Sequence, residues 1–261
     1  MDQPAELRQY LEMCKRMGVR YLSAVSNNVS STVPVPEISP DPKIEETRGN
    51  SISEPSVEYS VHQPKWMTLH PETVQAMELT AFDQDICECQ KCPLGKARKN
   101  FVFGSGNPKA EILFVGEAPG ADEDLQGLPF VGRAGQLLTK IIESTQTWKR
   151  RDVFIANVLK CRPPGNRAPL PEEVELCRGY LEEQIKILKP KLIMAMGASA
   201  AQALLRTKEA VGKLRGNWHD LEGIPLRVTY HPAALLRDER YKKDVWEDMK
   251  ELTRKFQGLK G

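Results

Sequence analysis

Residues 111–138 read EILFVGEAPGADEDLQGLPFVGRAGQLL, and this stretch decides the fold class. Ile112-Leu113-Phe114-Val115 is an apolar run of strand length, and Gly116 ends it. The loop that follows carries Glu117, Asp122, Glu123 and Asp124. A second glycine-rich turn at Phe130-Val131-Gly132 leads into the helical spacing of Leu137, Leu138, Ile141 and Ile142. Strand, acidic glycine-rich loop, then helix is the way an α/β protein sets reactive groups at the carboxyl end of a strand. A plain surface turn with solvated acids is the weaker reading.

Working outward, similar apolar runs lie at 153–159, 191–196 and 226–230. Helical patterns follow at 133–146, 171–188, 198–206 and 242–256, and a helix over Val74–Ile86 leads into Cys87. A Glu222-Gly223 turn suggests one more short hairpin strand within 214–224. This alternation predicts a parallel sheet covered on both faces. Three strand ends carry motifs, Gly116-Glu117, Gly197-Ala198-Ser199 and His231-Pro232, and Asn157 lies inside the second strand. Ligands of such folds sit in the crevice at that edge.

The chain divides into three expected parts: an amphipathic helix within 1–22, a Ser/Pro-rich disordered linker over 23–70, and a globular domain over 71–261. Residues 1–80 hold 7 Lys/Arg and 11 Asp/Glu, whereas 81–261 hold 30 and 24. A basic body is compatible with a nucleic-acid partner. No run approaches a membrane span, and MDQPAELRQ lacks the features of a secretion signal, so a cytoplasmic, nucleoid-associated monomer is expected.

Six cysteines in such a chain favour metal ligation or buried thiols over disulfides. Cys89 and Cys92 form a CxxC pair, and Cys161 and Cys177 lie far downstream. Four thiolates suit zinc or an iron–sulfur cluster, and spacing alone does not separate the two. Cys87 is out of step with the pair. An asparagine in the apolar strand Ile155-Ala156-Asn157-Val158-Leu159 is costly to bury unless it is partnered.

Taken together, GEAPGADED (116–124), GLPFVGRAGQLL (127–138), the Asn157 strand running into KCRPPGNRAPLP (160–171), and HPAALLR (231–237) resemble the family 4 uracil-DNA glycosylases. The resemblance covers roughly 86–256. It implies a three-layer α/β/α sandwich around a central four-stranded parallel sheet. It also implies a structural [4Fe–4S] cluster on Cys89, Cys92, Cys161 and Cys177, and uracil in single- or double-stranded DNA as substrate.

It assigns Phe130 to stacking on the flipped base, Asn157 to reading its edge, and His231 to stabilising charge on O2. Glu117 would position water and Glu123 would lie against uracil C5, although the sequence does not rank Glu117 securely above Glu123. Gly116, Ala118 and Gly120 would offer backbone amides. Leu235, Leu236 and Arg237 would form a wedge, with one leucine kept for packing. Another family of these enzymes carries an aspartate to orient water where this chain has Ala118. The amino-terminal helix could recruit a replication or repair protein. A cluster-stabilised module that binds uracil or abasic DNA without cleavage is the competing expectation.

Overall fold

The computed structural model describes residues 71–259. The helix expected within 1–22 and the linker expected over 23–70 lie outside the described residues. Helix α1 (Pro71–Ile86) opens the domain, and the short α2 (Pro93–Ala97) follows the CxxC pair. Strand β1 (Ser105–Gly106) precedes β2 (Ile112–Gly116), and then come α3 (Ala121–Gln126) and α4 (Arg133–Ser144). Strand β3 (Phe154–Asn157), α5 (Pro171–Leu188), β4 (Leu192–Met196), α6 (Ala198–Leu205) and α7 (Val211–Leu214) continue the chain. The hairpin β5 (Trp218–Leu221) and β6 (Ile224–Thr229), then α8 (Pro232–Arg237) and α9 (Tyr241–Gly258), complete it.

The sheet has six strands in the order β1-β3-β2-β4-β6-β5: the four expected strands form its centre, and an edge strand is added on each side. The inner pairs β3-β2, β2-β4 and β4-β6 are parallel, and β1 and β5 are antiparallel edges. Strand β1 escapes sequence reading because it is two residues long and ends in Gly106, where a Cβ would stand 2.0 Å from the Val153 carbonyl oxygen. The β5–β6 turn has positive φ at both Glu222 and Gly223, as a two-residue type I′ hairpin requires. Strand β3 stops at Asn157, short of the apolar run. Leu159 turns away to pack with Leu94, Cys161 and Cys177.

Alternation along the inner strands builds two cores. Leu113, Val115, Ala156, Ile193 and Ala195 face one side, under Leu181, Ile185 and Leu188 of α5 and Leu79 and Ile86 of α1. Ile112, Phe114, Ile155, Leu192 and Met194 face the other, under Leu138 and Ile142 of α4 and Val245, Met249, Leu252 and Phe256 of α9. Both faces of the sheet are therefore covered, which is why β2 and β4 read as unbroken apolar runs. Chain connections leave β2 toward β3 and leave β4 toward β6. The carboxyl ends of β2 and β4 therefore flank the switch point where a ligand crevice forms.

Helix α9 carries one charge into its buried face. Asp248, fully buried, accepts from Arg227 Nη2 (3.0 Å), Arg215 Nε (3.1 Å) and Thr229 Oγ1 (2.9 Å). Removing one partner of a buried ion pair leaves the other uncompensated, at a cost of about 3–5 kcal/mol. Asp248→Ala is therefore expected to lower the urea-unfolding free energy by that order. An effect below about 1 kcal/mol would mean the two arginines are satisfied without it.

Candidate active site

The carboxyl ends of β2, β3, β4 and β6 open into a cleft of about 760 Å³. Glu117, Phe130, Asn157, His231, Leu236 and Arg237 line it, so residues expected from three separate strands and the loop after β2 meet in one place. Ala118, Gly120 and Glu123 also line it, and Gly116 lies beneath.

The floor is assembled by close approach. A Cβ on Gly116 would stand 2.4 Å from Asn157 Oδ1 and 2.5 Å from Phe130 Cζ, so both side chains rest on the bare Cα. Asn157 is 2% exposed, and its Oδ1 is buried with no hydrogen-bond partner among the described residues. An orphaned buried acceptor at the bottom of a cleft is expensive unless a ligand satisfies it.

Phe130 is held in a left-handed conformation, φ 53°, which is rare for a bulky residue and concentrates at functional sites. Three contacts keep it there. Its carbonyl oxygen would lie 1.9 Å from any Cβ on Gly135, so only glycine lets α4 start against it. Arg150 Nη2 donates to the Pro129 carbonyl at 2.7 Å, and Nη1 donates to Thr139 Oγ1 at 3.1 Å. The third contact is Glu123.

Glu123 Oε1 accepts from the amides of Val131 (2.9 Å) and Gly132 (3.0 Å), and Oε2 accepts from Gly120 (3.1 Å). Both oxygens are thus engaged in joining the two halves of the 116–132 loop. Asp124, also buried, accepts from the amides of Lys99 (2.8 Å) and Asn100 (3.3 Å), anchoring the same loop to the preceding segment. Glu117 differs: its Oε2 accepts from the hydroxyl of Ser199, across the crevice between β2 and β4, and it lines the cleft.

His231 caps α8 and packs its ring 5.4 Å from that of Phe130. Its Nδ1 accepts from the Ala233 amide at 3.2 Å, which fixes the proton on Nε2 in the neutral ring. Burial, helped by the nearby Arg237 cation, pulls its pKa down to about 4, so the ring is neutral at physiological pH.

Leu235 does not reach the cleft. It is 2% exposed and packs in the α4/α9 core, because successive helical residues point to different faces. Leu236, 51% exposed and lining the cleft, is the free leucine. Arg133 joins Arg237 as a cleft cation, whereas Arg167, also on the lining, spends both terminal nitrogens on buried Glu173 (2.9 and 2.6 Å). Two residues without an expected role, Ser199 and Arg150, also belong to the site. The strand-end motif Gly197-Ala198-Ser199 was a usable signal for the first, but nothing local marked the second.

Beneath the loop after β3, Leu94, Leu159, Cys161 and Cys177 form a small cluster against which Cys92, Ala118 and Tyr180 pack. Burial pushes Cys177 up to about 11 and raises Cys161. Cys177 feels charge on Cys161 and Cys92, and Cys161 feels Cys92 and Cys89. Cys87 takes no part in this set; its thiol donates to the Gln84 carbonyl. Polar hydrogens converge on the sulfurs: Arg98 Nη1 to Cys161 (3.2 Å), Tyr180 Oη to Cys89 (3.1 Å) and the Lys160 amide to Cys177 (3.4 Å). Such donors suit thiolate ligands. Among the described residues, no group of three or more His, Cys, Asp or Glu side chains forms a ready site for a metal ion. Fully buried Lys160 links this region to the cleft, its Nζ donating to the Asn157 carbonyl (2.9 Å) and to Gln184 Oε1 (2.6 Å).

Fold and cleft define a doubly wound α/β protein with a buried, unpartnered asparagine oxygen and a neutral histidine packed beside a phenylalanine ring. Residues 103–250 match the Uracil DNA glycosylase superfamily. Type-4 uracil-DNA glycosylases are similar to this chain across most of their own length. That of Pyrobaculum aerophilum is 46% identical over 181 residues, 66% of this chain and 92% of the relative. That of Archaeoglobus fulgidus is 45% identical over 177 residues, 65% and 88% of the two chains. That of Thermotoga maritima is 43% identical over 179 residues, 67% and 92%. The chain belongs to the uracil-DNA glycosylase superfamily, in its type-4 family.

A methyl group at Gly116 would displace both Phe130 and Asn157. Gly116→Ala is expected to abolish binding of free uracil to the cleft while leaving the far-UV circular dichroism unchanged. Uracil affinity within twofold of the parent protein would show that the floor does not depend on this contact.

Proposed function

We propose that the protein excises uracil from DNA by hydrolysing its N-glycosidic bond, leaving free uracil and an abasic site for base-excision repair. The observation that carries this reading is the unpartnered Asn157 Oδ1 beside the Phe130 ring on bare Gly116. A planar base slid onto Phe130 brings its edge to that carboxamide. Uracil presents an N3–H donor and an O4 acceptor, which complement the oxygen and NH2 of the amide. Cytosine presents the reverse, so selectivity requires the amide to be held one way round.

The nucleotide must leave the stack to reach such a cleft. Exposed Leu236 would fill the gap it leaves, and Arg133 and Arg237, on the cleft lining, would meet phosphates. As the C1′–N1 bond breaks, its electron pair stays on the base. The Nε2–H of neutral His231 donates to O2, where the charge grows, so that the hydrogen bond strengthens most in the transition state. Glu117, the loop carboxylate facing the cleft with one oxygen outside the Ser199 bond, orients the water that adds to C1′ and gives up a proton.

A labelled oligonucleotide carrying one U:G pair, treated with protein and then alkali, tests the reading. Cleavage is expected with U:G and not with T:G. His231→Ala is expected to lower it by roughly 10²-fold or more, the scale of a lost transition-state donor. Binding of U:G without scission would favour a non-catalytic module instead.

Because His231 is neutral above about pH 4, it adds no ionisation to the rate near pH 6–7. His231→Asn, a neutral donor, should therefore lower kcat without changing the shape of its profile between about pH 5.5 and 8. A wild-type rate that falls as pH rises through about 6.5, with no such fall in the variant, would mean the ring works charged.

The thiols of Cys89, Cys92, Cys161 and Cys177 are the residues that would hold a [4Fe–4S] cluster. Its contribution would be structural, tying the loop carrying Pro163, Asn166 and Arg167 to the segment before β1. Purified protein is expected to contain about four iron and four acid-labile sulfide per chain, retained in Cys87→Ala and lost in Cys161→Ala. Zinc in place of iron would overturn the assignment.

A further inference from the structure

The strand-end motif Gly197-Ala198-Ser199 lies between two residues of the proposed reaction, Glu117 and His231. Gly197 has φ 89°, and a Cβ there would stand 3.0 Å from the His231 Cβ, so glycine admits the histidine to the cleft wall. Two residues on, in the first turn of α6, the Ser199 hydroxyl donates to Glu117 Oε2. Glu117 follows β2 and Ser199 follows β4, the two adjacent strands at the switch point. The bond therefore closes the crevice from one strand end to the other.

We propose that Ser199 is a positioning residue for the reaction, holding Glu117 in the rotamer that presents its other oxygen to the attacking water. The inference rests on the role given to Glu117 above. A glutamate side chain has three rotatable bonds and samples several staggered rotamers when untethered. Glu123 and Asp124 are fixed by backbone amides, but Glu117 has the hydroxyl of Ser199 as its tether. One oxygen held by a hydroxyl leaves the other for water, and this division of labour suits a group that must both stay put and accept a hydrogen bond. Orientation of this kind acts on kcat, because the water is engaged as the bond to the base breaks and not as DNA binds.

The test compares Ser199→Thr with Ser199→Val, which have similar volume and differ by the hydroxyl, alongside Glu117→Gln and the double variant Ser199→Val/Glu117→Gln. Single-turnover excision from a U:G oligonucleotide gives the chemical rate, and DNA affinity and melting temperature are measured on the same samples. Ser199→Val is expected to lose about 10- to 100-fold in rate, the range spanned by a hydrogen bond to a charged group, with DNA affinity within about twofold. Ser199→Thr is expected to keep most of the rate. In the Glu117→Gln background the valine should cost little more, since the group it orients is already impaired.

A Ser199→Val rate within twofold of wild type overturns the proposal. So do losses that multiply in the double variant, or a Thr variant as impaired as Val. Glu117→Gln at full rate would instead overturn the role assigned to Glu117 itself. If Ser199→Val lowers the melting temperature strongly, the Thr variant at wild-type rate and the non-additivity with Glu117→Gln remain the deciding readings.

Discussion

One missing methyl group governs the cleft. The bare Cα of Gly116 lets the Asn157 carboxamide and the Phe130 ring approach within 2.4–2.5 Å of where a Cβ would be. Each of the two is unfavourable on its own terms. The asparagine is buried with an unsatisfied oxygen, and the phenylalanine sits at positive φ. Neither would persist on a yielding scaffold. They persist here because Gly116 ends the central strand of a sheet whose inner members are buried on both faces, and because Gly135, Arg150 and Glu123 lock the returning loop. Strain and unpaired polarity are thereby concentrated at one point on the cleft floor.

The acids of the 117–124 loop divide their work by partner. Asp124 and Glu123 face backbone amides and act as internal braces, while Asp122 of the same loop is exposed. Glu117 faces a hydroxyl and the cleft. Glu123 accepts three amide bonds shared over both of its oxygens, so little of its acceptor capacity is left for water. A carboxylate with one hydroxyl partner keeps acceptor capacity. The side chain of His231 follows similar logic: a backbone amide on Nδ1 fixes the tautomer and burial keeps the ring uncharged, leaving one aimed donor.

The cysteine region bears on the same site through the backbone. Lys160 places its amide on Cys177 and its ammonium on the Asn157 carbonyl, so the end of β3 is held from the thiol side as well as from the sheet. Burial draws that ammonium down to about 8, and Gln184, itself donating to the Phe103 carbonyl at 3.0 Å, supplies the second acceptor. The loop entering the cleft therefore starts from a rigid point.

The sequence by itself determined the inner parallel strands, the flanking helices and the chemical types at the strand ends. These follow from apolar runs, periodicity and glycine placement, which are local properties of the chain. It also brought Glu117, Phe130, Asn157 and His231 into one candidate site through the order of their motifs. Edge strand β1 stayed hidden, because two residues carry no periodic signal. The choice between Leu235 and Leu236 turned on which face α8 gives to the α4/α9 core, and that is set by packing from a distance. The separation of Glu117 from Glu123 likewise needed the tertiary structure. Both are glutamates in one loop, and only the return of Val131 and Gly132 past Glu123, and of Ser199 past Glu117, gives them different partners. Hydrogen bonds between residues up to 82 positions apart set those partners, and no local pattern encodes them.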